Sequence, residues 1–136
     1  ISNCYDLDVL IYLYTNARIK PSIVQNRFYA QSGYDKEIRA FCKKNAITYE
    51  SFWSLTANPN ILSNEVLENL ANKYERSSAE IFYRFLNHID IVPLNGTTST
   101  KHMIEDLKIS GFELTNEEIN YIIDVLMLWI QREMTN

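Results

Sequence analysis

The chain has 136 residues, 46% of them hydrophobic, with three glycines, three prolines and 13 basic against 17 acidic side chains for a formal charge of −4. These values describe one mildly acidic globular domain, not a disordered or collagen-like polymer, and the mixed signs leave no basic stripe to attract nucleic acid. No run approaches the roughly 18 apolar residues of a membrane span, the start lacks the layout of a secretory leader, and Cys4 and Cys42 form neither a CxxC pair nor a Cys/His cluster. A cytoplasmic protein with buried free thiols, and with no membrane or nucleic-acid partner, is expected.

Residues 6–16 place Leu7, Leu10, Ile11 and Tyr14 at helical spacing, which predicts an amphipathic helix that Pro21 prevents from continuing. The β-branched run after it predicts a strand from about Ile23 to Phe28. Asp35 and Glu37 precede Lys43 and Lys44, the charge order that complements a helix dipole, so a helix burying Ile38, Phe41 and Cys42 comes next. Residues 47–53 are strand-like again, and a loop with Pro59 leads to a helix from about Glu65 to Tyr74. Ser77-Ser78-Ala79-Glu80 has the form of a capping box and opens a helix with Ile81, Phe82, Phe85 and Leu86 as its apolar positions. A strand over residues 90–94 follows, then a helix from about Thr100 to near Gly111, and a last one opened by Thr115-Asn116-Glu117-Glu118 that reaches about Arg132.

Short apolar strands separated by helices are the pattern of a parallel α/β fold with right-handed crossovers. Three strands and a stub at Ile1 are too few for a complete domain of that class. The chain is apolar from its first residue and starts without methionine, so it is expected to be cut from something longer.

Four stretches stand in order: Ile1-Ser2-Asn3, Ser22-Ile23-Val24-Gln25-Asn26, Phe52-Trp53-Ser54-Leu55, and residues 92–99 followed by His102-Met103-Ile104-Glu105-Asp106-Leu107. Together they resemble the aldo-keto reductases at similar spacing, and residues 112–119 are similar to that family's segment after its last barrel strand. The resemblance implies an α/β fold that is the C-terminal half of a TIM (β/α)8 barrel, strands five to eight with their helices. Residues 1–136 would form this partial barrel with no second domain, the N-terminal half being absent. A nicotinamide cofactor is implied, NADP or NAD with NADP slightly favoured, at the C-terminal ends of the strands. Ser2, Asn3 and Gln25 would hold its carboxamide, and Phe52 would stack on its ring. Asn95, Gly96, Thr97 and Thr98 would receive phosphate at a helix start, with His102, Glu105 and Asp106 along the adenosine. Two positions depart from the family: Leu94 stands where many members are basic, and Asp106, in place of asparagine, adds negative charge near the ribose.

The family's tyrosine proton donor and its lysine, aspartate and histidine belong to the first half of the barrel, and no tyrosine here substitutes by spacing. The expected function is therefore the cofactor-binding half of an NAD(P)H-dependent reductase of aldehydes or ketones, not competent alone, with no catalytic residue and no metal-ligand spacing in this chain. The alternative is a truncated, non-catalytic barrel used as an interaction or regulatory module. Unpaired sheet edges, and a last helix with little polar face, predict self-association or recruitment of the missing half. Simpler roles stand beside these. Gln25 can be a strand amide satisfied by backbone, one of Phe52 and Trp53 a core aromatic, His88 a cap or surface group, and His102 a solvated helix residue. The pairs Asp6/Asp8 and Glu117/Glu118 read as helix-start charges.

Overall fold

The Asp6 carboxylate accepts from the Asp8 and Val9 amides at 2.8 and 3.2 Å and opens α1, Leu7–Asn16. There follow β1 (Ile23–Arg27), α2 (Lys36–Lys44), β2 (Thr48–Phe52), α3 (Glu65–Tyr74), α4 (Ser78–His88), β3 (Ile91–Pro93), α5 (Thr100–Leu107) and α6 (Asn116–Thr135) in this computed structural model, which describes residues 1–135. Each predicted element is present. The helix expected to reach Gly111 ends at Leu107 and passes into a short 3₁₀ turn, Ile109–Gly111. No helix is long and apolar enough to cross a membrane among the described residues.

The three strands pair in parallel in the order β1-β2-β3, with Gln25 opposite Glu50 and Glu50 opposite Val92. Outside β1, Ser2 makes one parallel bridge to Gln25, the stub anticipated at the start of the chain. Val24, Asn26, Tyr49 and Ser51 point into a core built around Phe28, Phe82, Phe85, Leu67 and Ile122. The alternate residues Ile23, Gln25, Arg27, Thr48, Glu50 and Phe52 face the other way and are exposed or half-buried. Among the described residues, helices therefore cover one face of this parallel sheet and leave the other bare. Apolar surface is bare on helices too. Leu10 is the single buried residue of α1, which exposes Val9, Ile11, Tyr12 and Leu13. No residue of α5 is buried, and it exposes Met103, Ile104 and Leu107. On α6, Tyr121, Ile123, Met127 and Leu128 are exposed.

A buried polar network ties the first residues to the sheet. Asn26 accepts from the Cys4 amide at 2.9 Å and donates to the Cys4 carbonyl at 2.6 Å and to Asp35 Oδ2 at 2.7 Å. Asp35 also accepts from the Tyr49 hydroxyl at 2.7 Å, and burial first, then the Asp35 charge, drives that phenol well above its usual range. The network offsets the strain of Tyr34 and Asp35, which take φ of 52° each in the connection before α2, where Gly33 takes φ 59° at no such cost. Elsewhere His88 is neither a cap nor a free surface group: its Nε2 accepts from the Leu114 amide at 3.1 Å, tying the end of α4 to the segment before α6.

Asn26→Leu would leave both Cys4 backbone groups and Asp35 short of partners, so it is expected to lower the unfolding free energy in urea by about 2–4 kcal/mol. A second measurement concerns Glu118. Burial alone would push its carboxyl up, but hydrogen bonds from the Lys73 ammonium, the Thr115 amide and the Tyr74 hydroxyl hold it at about 2, below the ordinary 4.5. A depressed carboxylate contributes stability that is complete above about 4.5 and lost as pH falls toward about 2. Denaturation across that window should show the loss in the parent. Glu118→Gln should flatten it and cost about 1–2 kcal/mol at pH 7, because Lys73 is solvated.

Candidate functional site

The sequence candidates fall into two groups at the C-terminal side of the sheet. In the first, backbone hydrogen bonds hold Ser2 and Asn3 alongside β1: Gln25 donates to the Ile1 carbonyl at 2.8 Å and accepts from the Asn3 amide at 3.0 Å. Asn3 takes a left-handed φ of 55° and its side-chain amide donates to Ser2 Oγ at 3.2 Å. The Gln25 amide nitrogen donates to Glu50 Oε2 at 3.1 Å across the bare face, and its oxygen has no partner among the described residues. Phe52 ends β2 on that same face, half-buried.

Trp53, next in the chain, turns away at φ 54° and is 58% exposed, so neither it nor Phe52 enters the core. The expectation that one of the two would be buried is corrected by the position of both at the strand's end, where the sheet stops. Arg27 explains what Trp53 does instead. Its guanidinium lies against two rings, 4.9 Å from the Trp53 centroid and 5.3 Å from Tyr29, and its Nε is buried without a hydrogen-bond partner among the described residues.

The second group surrounds a cavity of about 470 Å³, within the roughly 300–1,000 Å³ of small-molecule sites. Asn95, Gly96, Thr97, His102, Glu105 and Asp106 line it; Thr98 does not. Ser99 caps α5 by accepting from the His102 amide, while Thr97 Oγ1 accepts from the Ser99 amide at 3.0 Å, so the turn is ordered by its own hydroxyls. A side chain on Gly96 would meet nothing within 4 Å, and the turn is open to an approaching group. Burial raises the Asp106 carboxyl from its ordinary value, His102 opposes this, and the charges of Glu105 and Glu80 add to it. Burial and then the Asp106 charge push the Tyr83 phenol up to about 12.

Leu55, Ser77, Ser78 and Tyr83 also line this cavity; sequence reading gave Ser77 and Ser78 to a helix cap and Tyr83 no role. Ser77 keeps the role given to it, accepting from the Glu80 amide at 3.2 Å in a complete capping box. Tyr83 carries no local signal, because the wall it forms exists only once α4 lies beside the turn after β3. A larger hollow of about 870 Å³ lies between α2 and the turn from α4 to β3. It meets the strands where they begin, the end that serves stability in parallel barrels, and it contains none of the predicted site residues.

No family model matches the chain. Aldose reductase B of Dictyostelium discoideum is 28% identical over 123 residues, which is 90% of this chain and 39% of that protein. Glyoxal reductase of Bacillus subtilis is 32% identical over 110 residues, 81% of this chain and 39% of that one. The chain thus spans about two fifths of the length of these curated relatives. Among solved structures, an aldo-keto reductase from a Medee basin deep-sea metagenome library superposes with a TM-score of 0.82 at 26% identity, covering 91% of this chain and 46% of that one. A Gox0644 mutant solved in complex with NADPH superposes at 0.75 with 22% identity, covering 88% and 43%, which establishes likeness of fold. The three-stranded parallel α/β structure is accordingly part of a TIM-barrel fold.

Because α5 buries none of its residues, it depends on its cap and its two neighbours. Ser99→Ala should cost the helix about 1 kcal/mol, read as roughly fivefold faster hydrogen exchange of the amides in residues 100–107 with no change in the β2 amides.

Proposed function

From a chain that belongs by homology to the aldo-keto reductases while spanning 39% of two of them, we infer that residues 1–136 are the cofactor-binding, C-terminal half of such a barrel. It would serve the reduction of aldehydes or ketones by NADPH or NADH once the rest of the barrel is supplied. The observation that carries this reading is the convergence of both candidate groups on one side of a parallel sheet. Ser2, Asn3, Gln25 and Phe52 share the bare face, and six further candidates share one cavity beyond the end of β3.

The residues present fit the cofactor chemically. A carboxamide both donates and accepts, and Gln25 Oε1, the Ser2 hydroxyl and the Asn3 amide together offer both capacities. The Phe52 ring supplies a flat apolar face beside them. The turn at Gly96 and Thr97 has room and hydroxyls for phosphate ahead of the first turn of α5, and the cavity accommodates the adenosine. The cofactor, when bound, supplies hydride to a carbonyl carbon. The chain's own residues would hold and orient it, and the proton for the developing alkoxide would come from the family's tyrosine, tuned by its lysine, aspartate and histidine, all four in the other half. Carbonyl substrate, cofactor and the completing half, or a second copy, are the partners of this reading, in the cytoplasm.

One observation favours a second reading. The exposed Tyr121, Ile123, Met127 and Leu128 lie on α6, which packs on residues 30–35, α3 and α4 and contributes no residue to the candidate cavity. They suit a non-catalytic module that binds another protein through this helix.

Titration of NADPH and NADH, followed by tryptophan fluorescence, tests the first reading. Phe52→Ala and Gln25→Ala are each expected to weaken binding about tenfold, from a lost ring contact and a lost hydrogen bond. The pure chain is expected to reduce no glyoxal with either cofactor, and measurable turnover would sink the half-site reading.

A further inference from the structure

We propose that the cavity beyond β3 is built for an adenosine ribose without a 2′-phosphate, so that this chain takes NAD(H) and not NADP(H). The inference rests on the cofactor reading above and sharpens it. Its basis is the charge of the wall. Among the described residues lining the cavity none is lysine or arginine, whereas two, Glu105 and Asp106, are carboxylic acids, and His102 is the single basic group. The nearest cation on α5, Lys101, is turned to Glu105 at 3.7 Å with its side chain 80% exposed, and it does not line the cavity. Behind the wall the Glu80 carboxylate is engaged by the Ser77 cap and by Arg76 at 3.3 Å. Leu94, which follows β3 directly and donates its amide to the Ser51 carbonyl at 2.7 Å, adds no charge where the turn begins.

These groups suit hydroxyls and an exocyclic amine. An ionised carboxylate accepts hydrogen bonds and donates none, so Glu105 and Asp106 can receive ribose hydroxyls or the adenine amine. They offer nothing to a phosphate, whose recognition calls for guanidinium, ammonium or amide donors. A 2′-phosphate would bring nearly two further negative charges into a half-enclosed space that already holds two acids. His102, the single basic side chain of the wall, favours the ionisation of Asp106 and cannot offset two acids and a phosphate.

The test uses probes that fill the adenosine end alone. 5′-ADP and adenosine 2′,5′-bisphosphate are titrated into the whole chain by NMR, following the backbone amides of Thr97, His102 and Asp106. The expected result is binding of 5′-ADP at least tenfold tighter, with the ratio narrowed by Asp106→Asn and reversed by Asp106→Arg. Asp124→Asn makes the same charge change on the exposed surface of α6 and should leave the ratio unmoved, which separates a local effect from the chain's net charge. Equal or tighter binding of the 2′-phosphorylated probe overturns the inference and leaves the cofactor reading standing, as does a ratio that shifts alike in both asparagine variants. Absence of shifts at these amides with either probe overturns the adenosine site itself, and the cofactor reading with it.

Discussion

A parallel sheet is ordinarily covered on both faces, since its strands offer no regular alternation of dry and wet sides. Here the helices cover one face, and the other carries Ile23, Gln25, Arg27, Thr48, Glu50 and Phe52, exposed or half-buried, in a layer that no helix covers among the described residues. The composition of that layer is a compromise that follows from its position. Gln25 donates one hydrogen bond to Glu50 and the Arg27 guanidinium lies against two aromatic rings, which leaves polar capacity in the layer for water. Ile23 and Val92 beside them would gain from being covered. The bare face also holds the nicotinamide end of the proposed site, so in that reading completing the fold and completing the site would be one event.

The two ends of that site differ in how firmly they are built. At the strand end, the network of Asn26 with Cys4, Asp35 and Tyr49 fixes the backbone that carries Ser2 and Asn3, and every member is buried or half-buried. Such a satisfied network has two favourable outcomes at once: it removes the cost of burying polar groups and it admits a single arrangement. At the adenosine end, His102, Glu105 and Asp106 ride on a short helix with no buried residue. A ligand there would add the order that the protein alone does not supply, and binding would show most strongly in α5.

The element order was legible because punctuation was strong. Ser77 and Thr115 each make the cap that their spacing announces, Asp6, read as a helix-start charge, caps α1, and strands form where the β-branched runs stand. What escaped was polar content on the inward face. Asn26 reads locally as one residue of a strand, and only the arrival of Cys4 and Asp35 turns it into the residue that closes the network. Arg27 and Trp53 escaped for the same reason, since a guanidinium held against rings from different segments leaves no periodic mark. Phe52 and Trp53 were expected to divide between core and surface by alternation, a rule that fails at the last residue of a strand. For the cavity, sequence supplied the residues on the turn and on α5, and missed the opposite wall from Leu55, Ser78 and Tyr83.

The geometry of the edges constrains what could complete this sheet. On the β3 side pairing is short, because the strand has three residues and Pro93 has no amide to donate. On the β1 side residues 1–3 already occupy the edge near Gln25. Backbone hydrogen bonds therefore offer little purchase at either side. Apolar surface offers more: α1 presents Val9, Tyr12 and Leu13, and α5 presents Met103, Ile104 and Leu107. A partner that covers the bare layer and both helices would be held mainly by burial of side chains, which is non-directional. Orientation would then have to come from the polar groups within the layer, Gln25, Arg27 and Glu50, whose unmet hydrogen-bonding capacity discriminates a correctly placed partner from one that merely covers the surface.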